Sequence, residues 1–338
     1  MTKSRTALAA DFLATTDWKH ARLSPLAGDA SNRKYDRVAA EGMPAAVLMD
    51  APPQKGEDVR PFVKIAKHLA AQGLSAPTVY AEDAVQGFLL LEDLGDDLFA
   101  RVLEDKPELE TTLYQAAVDA LIVAQNASPP PLAPYDAAAM SGTARLVTEW
   151  YLPNVTGAPT NDSLSKTYDA LVADMLARLM TGQPVMVQRD YHAENLLWLP
   201  MREGAARVGL LDFQDAMLGH PAYDLASLLK DARRDVSDDV QRAMLDYYIA
   251  NTGVEDHAFR AGYAACSAQR NLRILGVFAR LCVRDGKPNY PDLMPRVWRN
   301  LMDDLQHPEL TELRAFIEDH VPAPDADIIA RIKAAADA

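Results

Sequence analysis

The chain is poor in cysteine, in basic residues and in long apolar runs, and each shortage excludes a class of protein. Its 338 residues include two cysteines, 34 Lys and Arg against 48 Asp and Glu, and 7% aromatic residues. The formal charge of −14 argues against broad binding to nucleic acid or to an anionic membrane, because both partners require a basic surface. A phosphate ligand is still compatible with this charge, since a local basic pocket can lie in an acidic protein.

No apolar run approaches the roughly 18 to 20 residues that a helix needs to cross a bilayer. The first 18 residues are interrupted by Asp11, so we expect a short helix there rather than a secretory signal. Cys266 and Cys282 fall in one helical pattern, which would hold them about 24 Å apart, too far for a disulfide. Unpaired thiols without a signal predict a cytoplasmic protein.

The length predicts two domains or one large two-lobed unit, at about 150 residues per domain. Strand-like segments with one helix between them occupy the first ninety residues, which favours a small α+β lobe. Helical patterns at 108–127, 136–151, 163–180 and from 223 onward dominate the rest, with a β-rich island at 185–212. We therefore predict an α+β fold with a small β-rich N-terminal lobe, residues 1–93, and a larger, mainly helical C-terminal lobe, residues 94–338.

The β-rich island is the most informative segment, because its strands lead into carboxylate and amide side chains. One strand precedes Asp190 and Asn195, and another ends at Asp212. Together these offer one base and two oxygen ligands for a hard cation such as Mg²⁺. Each residue alone is more often a loop carboxylate or a turn cap. Jointly they have the spacing of the protein-kinase catalytic loop and metal-binding aspartate, which favours a kinase-like phosphotransferase.

These motifs resemble the aminoglycoside phosphotransferase family, small-molecule kinases with a bilobal, protein-kinase-like fold, over nearly the whole chain. Further segments are similar to the bacterial cell-wall-recycling kinases that phosphorylate N-acetylmuramate and N-acetylglucosamine at the anomeric hydroxyl. They lie at residues 28–31, 33–35, 47–53, 189–192, 212–216 and within 269–287. The resemblance implies a phosphotransferase that uses ATP or GTP with Mg²⁺ and acts on a small-molecule hydroxyl, that of an amino sugar. It leaves the oligomeric state open.

Carried over to this chain, the family pattern makes Asp190 the catalytic base and Asn195 and Asp212 the Mg²⁺ ligands. Asp215 either assists substrate or metal binding or is a solvated turn residue. Asp224 resembles the aspartate that supports the family's catalytic loop, and an ordinary acid in the first turn of a helix explains it equally well. The residues implied for nucleotide binding are Gly28, Asp29, Ala30, Ser31, Arg33 and Lys34 in one loop, and Glu92 and Leu94 at the connection between the lobes.

Two positions depart from the kinase pattern. Gln188 stands where kinases have histidine, which we expect to be tolerated. Met49 ends the strand on which kinases carry the lysine that holds the α- and β-phosphates. Either Arg33, Lys34 or Lys55 then supplies the cation, or nucleotide affinity is weak.

The acceptor site is less well marked. Trp150 lies at the end of a predicted helix, and Arg273 and Arg280, seven residues apart, share one face of a long late helix. These arginines would suit an acidic sugar such as N-acetylmuramate, and an ion-paired or solvated face explains them equally well. Two alternatives stay open: a kinase of another small molecule (an aminoglycoside, choline or homoserine), and a catalytically weak nucleotide-binding pseudokinase, which the missing lysine and sparse glycines favour.

Overall fold

The computed structural model describes residues 3–26 and 32–336, and the chain divides by compactness into two units. The first unit comprises Met1–Pro107 with Glu194–Ala216, and the second comprises Glu108–Ala193 with Met217–Ala338. The lobe boundary predicted after residue 93 stays a prediction. The division into compact units differs from the predicted boundary, because the first unit also includes residues 94–107 and the segment 194–216.

The described ranges contain short strands and, in the second unit above all, α-helices. The strands are β1 (Arg22–Pro25), β2 (Lys34–Ala39), β3 (Ala46–Asp50), β4 (Val79–Asp83), β5 (Phe88–Glu92), β6 (Pro134–Tyr135), β7 (Val185–Val187), β8 (Leu196–Trp198), β9 (Val208–Leu210) and β10 (Met217–Gly219). The helices are α1 (Arg5–Ala14), α2 (Arg60–Ala71), α3 (Phe99–Asp105), α4 (Glu110–Asn126), α5 (Ala137–Ala144), α6 (Leu152–Thr156), α7 (Asp162–Leu179), α8 (Ala222–Leu229), α9 (Asp238–Thr252), α10 (Asp256–Val283), α11 (Met294–Asp304), α12 (Thr311–His320) and α13 (Ala326–Ala334).

The first unit is built on a five-stranded antiparallel sheet in the order β1-β2-β3-β5-β4. The central strands β3 and β5 are almost wholly apolar, so they occupy the middle of the sheet, where Leu48 and Leu90 pair and are buried. Helix α1 packs its apolar side against this core, and Phe12 stacks on Phe88 with ring centroids 5.7 Å apart. The strand pattern read from the sequence is confirmed here.

The β8–β9 hairpin belongs to the first unit because its backbone bonds to that unit. Leu210 N–H donates to the Ser75 carbonyl at 2.9 Å, and Trp198 N–H donates to the Asp97 carbonyl at 2.7 Å. Gly209 bridges to Ser75, and a side chain there would crowd Leu94 and Leu197 at 3.0–3.1 Å. The hairpin thereby gains partners more than a hundred residues away, which no local pattern in the sequence indicates.

The second unit is mainly helical, and the 28-residue helix α10 contributes many of its buried residues. The three-stranded sheet β6-β10-β7 carries the start of the predicted catalytic loop. Cys266 and Cys282 lie on α10, buried and unbridged, as predicted. Along the described ranges, none of the helices combines the length and the apolar character needed to span a bilayer.

The single helix predicted over 136–151 is wrong. Helix α5 ends at Ala144, and Val147–Tyr151 forms a π-helix that continues into α6. The wider turn is visible at its end, where Leu152 N–H donates to the carbonyl of Val147, five residues back. Pro153 follows and has no N–H to donate to the Glu149 carbonyl, so the α-helical pattern cannot run through this point.

Candidate active site

The predicted catalytic base, Asp190, follows β7 in a loop that the second unit holds by its backbone. The N–H groups of Gln188 and Arg189 donate to the Asp224 carboxylate at 2.6 and 2.8 Å. Asp224 is fully buried in the first turn of α8. Burial raises the pKa of its carboxyl group to about 7, against the opposing effect of these two hydrogen bonds. Asp224 is thus an acid in the first turn of α8, and its carboxylate also holds the backbone of the loop through these two hydrogen bonds.

Two tyrosines, Tyr135 and Tyr223, and Arg273 lie beside this loop. The rings of Tyr135 and Tyr223 meet edge to face with centroids 5.1 Å apart, and Arg189 lies over the Tyr135 ring at 5.3 Å. Arg273 donates from Nη1 to the Tyr223 hydroxyl at 3.5 Å. The pKa of Arg273 is raised against the opposing effect of burial, by Tyr223 and Tyr135 first and by the charge of Asp190 to a smaller extent, so Asp190 is within electrostatic reach of this arginine. No local pattern of the sequence indicates the tyrosine pair, because its members lie 88 residues apart.

His192 of the same loop is buried and neutral. Burial lowers the pKa of its imidazole to about 4. Arg233 Nη1 lies 3.3 Å from Nε2 of the ring, so the neutral imidazole accepts from the arginine at that nitrogen. His192 thus contributes packing and an acceptor near neutral pH rather than a charge.

The two predicted Mg²⁺ ligands flank the open end of the β8–β9 hairpin in the first unit. Asn195 precedes β8, and its carbonyl accepts from Leu211 N–H at 3.0 Å, so Asn195 stands opposite the residue before Asp212. Asp212 Oδ1 accepts from Gln214 Nε2 at 2.6 Å, and its side chain is 35% exposed. Mg²⁺ is typically held by one or two protein carboxylate or amide oxygens together with phosphates and water, and this partly open oxygen pair fits that ion.

A buried ion pair lies beside Asp212. Arg33 Nε donates to Glu57 Oε2 at 2.8 Å, and both side chains are only 12% exposed. Nη1 of the same arginine is 3.9 Å from Asp212 Oδ1. Lys34 and Lys55, the other candidates for the missing strand lysine, have exposed side chains. The structure therefore brings Arg33, rather than either lysine, next to the predicted metal ligand.

The structure describes only some of the other residues that were predicted to bind the nucleotide. Gly28, Asp29, Ala30 and Ser31 lie outside the described residues. At the end of β5, Glu92 N–H donates to the Thr78 carbonyl at 2.8 Å, so an adenine contact from Glu92 would use its carbonyl. Leu94 N–H makes no hydrogen bond with the part of the chain that the structure describes.

The predicted acceptor residues lie on two elements of the second unit. Trp150 is half-buried in the π-helix, and Arg273 and Arg280 are half-buried on α10. Asp215 belongs to the first unit, where its side chain is exposed after β9. Glu149 borders a cavity of about 740 Å³ beside the π-helix. Neither Trp150 nor the two arginines are among the lining residues of that cavity in the described ranges.

Two residues of this region have an unusual backbone conformation. Within residues 3–26 and 32–336, Arg189 at φ 75° and Asp212 at φ 56° are the non-glycine residues with positive φ. Such a conformation costs of order 1–3 kcal/mol and persists where the surroundings enforce it, most often at functional sites. One residue immediately precedes the predicted base and the other is a predicted metal ligand, so the strain coincides with the motif.

Comparison with known proteins identifies the family. The model of the phosphotransferase enzyme family matches residues 22–263. The N-acetylmuramate/N-acetylglucosamine kinase of Caulobacter vibrioides is 40% identical over 359 aligned positions, covering 95% of this chain and 98% of that protein.

Solved structures support the same fold at low sequence identity. A choline/ethanolamine kinase family protein from Mesorhizobium loti superposes with a TM-score of 0.64 at 14% identity, covering 98% of this chain and all of that one. The phosphotransferase APH(2″)-IIa, solved as a ternary complex with streptomycin and ATP, gives 0.56 at 15% identity, covering 81% and 91%. The predicted α+β, protein-kinase-like fold is confirmed. The chain belongs to the phosphotransferase enzyme family, as its catalytic-loop motif predicted.

Proposed function

We propose that this phosphotransferase transfers the γ-phosphoryl group of ATP, with Mg²⁺, to the anomeric hydroxyl of N-acetylmuramate and N-acetylglucosamine. The main support for the proposed transfer chemistry is the left-handed backbone conformation, with positive φ, at Arg189 and Asp212. The acceptor is supported by the name of the Caulobacter relative, which aligns with 95% of this chain.

Asp190 is the proposed base. Its carboxylate orients the sugar hydroxyl and takes its proton as the hydroxyl oxygen forms a bond to the γ-phosphorus. The bond between that phosphorus and the β–γ bridging oxygen breaks, ADP leaves, and the proton passes from Asp190 to solvent. Asp224 contributes by holding the two N–H groups that precede Asp190, since phosphoryl transfer depends mainly on positioning and charge neutralisation.

Asn195 and Asp212 are the proposed Mg²⁺ ligands. When bound, the ion neutralises charge that develops on the phosphate oxygens. The protein orients the Asp212 carboxylate for this ion in two ways. The backbone of Asp212 is held at a positive φ, and Gln214 donates a hydrogen bond to one carboxylate oxygen.

Arg33 is the proposed replacement for the strand lysine of kinases. Glu57 holds its guanidinium group in a buried pair, as a helix glutamate holds the lysine in kinases. A buried ion pair stabilises a protein only when its geometry is good. The 2.8 Å hydrogen bond between Arg33 and Glu57 meets this condition. A retained cation beside Asp212 weighs against the pseudokinase alternative.

The adenine contacts are proposed at the end of β5. The Glu92 carbonyl would accept from the adenine amino group and Leu94 N–H would donate to the ring, because the Glu92 N–H is already engaged. We further propose a cytoplasmic location, which the two unbridged, buried thiols support.

The test is ADP release from MgATP with N-acetylmuramate, N-acetylglucosamine, glucosamine, choline, homoserine and kanamycin. We expect turnover of the two N-acetyl sugars, a product whose phosphorus resonance couples to the anomeric proton, and loss of at least 100-fold in kcat in Asp190→Asn. Turnover of choline, homoserine or kanamycin in place of the sugars would refute the acceptor. Full activity of Asp190→Asn would refute the base.

A further inference from the structure

Helix α10 approaches the chain before the π-helix unusually closely. A Cβ atom placed on Gly276 would lie 2.2 Å from the carbonyl carbon and 2.3 Å from the carbonyl oxygen of Leu146. Both are backbone atoms and cannot move aside as a flexible side chain could. The absence of a side chain at Gly276 is therefore what allows α10 to lie directly against the residues leading into the π-helix.

Arg273 and Arg280 flank this contact on the same helix face. They lie three residues before and four residues after Gly276, the two spacings that share one side of an α-helix. The face of α10 that meets the π-helix region thus has an arginine on each side of the contact. Glu149 of the π-helix is within electrostatic reach of Arg280, which places the π-helix beside that arginine.

The two arginines have different surroundings. Arg273 contacts Tyr223 and is within electrostatic reach of Asp190. Arg280 Nε is buried, and the described part of the chain offers no hydrogen-bond acceptor to it and no carboxylate within 4.0 Å of its guanidinium. Burial lowers the pKa of Arg280, Arg284 and Arg273 lower it further, and Asp285 and Glu149 oppose this shift. Within the described residues, no ion pair with a carboxylate therefore holds the Arg280 guanidinium in place.

The other arginines of α10 differ among themselves, because Arg270 also has a buried Nε without an acceptor in the described chain, whereas Arg260 is ion-paired. Arg260 donates to Asp256 at 2.7 Å and contacts Asp246, and it is 37% exposed. Just beyond the end of the helix, Arg284 pairs with its neighbour Asp285 at 2.7 Å. A buried donor without an acceptor is costly, so an acceptor from outside the described chain would stabilise Arg280.

We infer that Arg280 is the carboxylate-binding residue of the acceptor site and that Arg273 links it to Asp190. This inference rests on the proposed function. N-acetylmuramate carries a lactyl carboxylate that N-acetylglucosamine lacks, and a guanidinium group recognises a carboxylate through paired, charge-assisted hydrogen bonds. Arg273 and Arg280 are roughly 10 Å apart along the helix, so the reacting end of the sugar would face Asp190 and its acidic substituent would face Arg280.

The experiment compares N-acetylmuramate with its methyl ester and with N-acetylglucosamine in the full-length enzyme with MgATP. In the wild type, we expect kcat/KM to be higher for the free acid than for the ester. In Arg280→Gln, we expect the preference for acid over ester to fall by roughly 10- to 150-fold, the range for one hydrogen bond to a charged group. Arg280→Lys keeps the charge without the paired geometry and should fall between the two.

The matched control is Arg260→Gln, which removes the same charge from the same helix at a site roughly 30 Å away along its axis. It should keep the wild-type preference. Equal turnover of acid and ester by the wild type would overturn the inference without any variant, and so would an equal loss for all three acceptors in both Arg280 variants. Failure of the wild type to phosphorylate any N-acetyl sugar would instead refute the proposed function, and the inference with it.

Discussion

Replacement of Asp224 by asparagine tests whether a buried carboxylate positions the catalytic base. The substitution keeps the shape of the side chain and exchanges one acceptor oxygen for an amide donor. At present both oxygens accept, from Gln188 N–H at 2.6 Å and from Arg189 N–H at 2.8 Å. In the variant one of these N–H groups would face an amide N–H, so the backbone directly before Asp190 has to shift.

The expected effect on activity follows from that shift. A misplacement of about 1 Å at a reacting group costs on the order of 100-fold in rate. We expect kcat of Asp224→Asn to fall by about that factor at pH 8, where the wild-type carboxyl group is ionised, with a much smaller change in KM for MgATP. Steady-state ADP release with N-acetylglucosamine measures both constants.

The effect on stability has the opposite sign and depends on pH. Because burial raises the folded-state pKa of Asp224 from 3.8 to about 7, the folded state retains the proton more tightly than the unfolded state. The wild type therefore loses stability as pH rises from about 4 to about 7, by roughly 4 kcal/mol at 1.36 kcal/mol per pKa unit. The asparagine variant lacks this loss, so its unfolding free energy relative to the wild type should increase across that range.

Asp304→Asn is the matched control. Asp304 is also buried, burial also raises its pKa to about 7, and it accepts from Ser267 and Asn271 rather than from the catalytic loop. It should reproduce the pH-dependent change in urea-unfolding free energy while leaving kcat within about twofold. The reasoning would be refuted if Asp224→Asn kept full kcat at pH 8, or if both variants lost activity equally.

Two further predictions concern contacts that the structure places at single residues. Arg33→Met should raise KM for MgATP by roughly 10- to 100-fold, because it removes a charge-assisted contact to phosphate, and a larger effect of Lys34→Met would contradict the assignment of the cation. Gly276→Ala should lower the unfolding free energy by about 1–3 kcal/mol through overpacking against Leu146. Gly142→Ala on α5, where nothing lies within 4 Å of the new Cβ, should be neutral or stabilising in the same denaturation assay, and equal losses in both variants would disprove the packing argument.

Much of the fold and the core of the candidate site could be predicted because they depend on local patterns. The apolar runs of β3 and β5, the long pattern of α10 and the strand–loop–strand motif around Asp190 each lie within a few tens of residues. Periodicity and motif spacing report such features directly. Family membership, now confirmed, followed from the same short segments.

The partners of the functional side chains could not be predicted in this way. Arg33 and Glu57 are 24 residues apart, and Gln188 and Asp224 are 36 apart. The π-helix was not predicted either, because apolar periodicity does not distinguish it from an α-helix. It lies between Pro153, which interrupts the α-helical hydrogen bonds, and Leu146, against which α10 packs. Each of these features requires the folded chain to bring distant segments together.

Local sequence thus specified which chemical groups this protein carries and the order in which they occur. The tertiary structure decided which cation stands beside Asp212, which carboxylate supports the catalytic loop, and which arginines of α10 have a buried Nε without an acceptor in the described chain. The physical reason is that residue type and spacing set the available charges and hydrogen-bonding groups, whereas burial and long-range packing determine which of them meet and how strongly they interact.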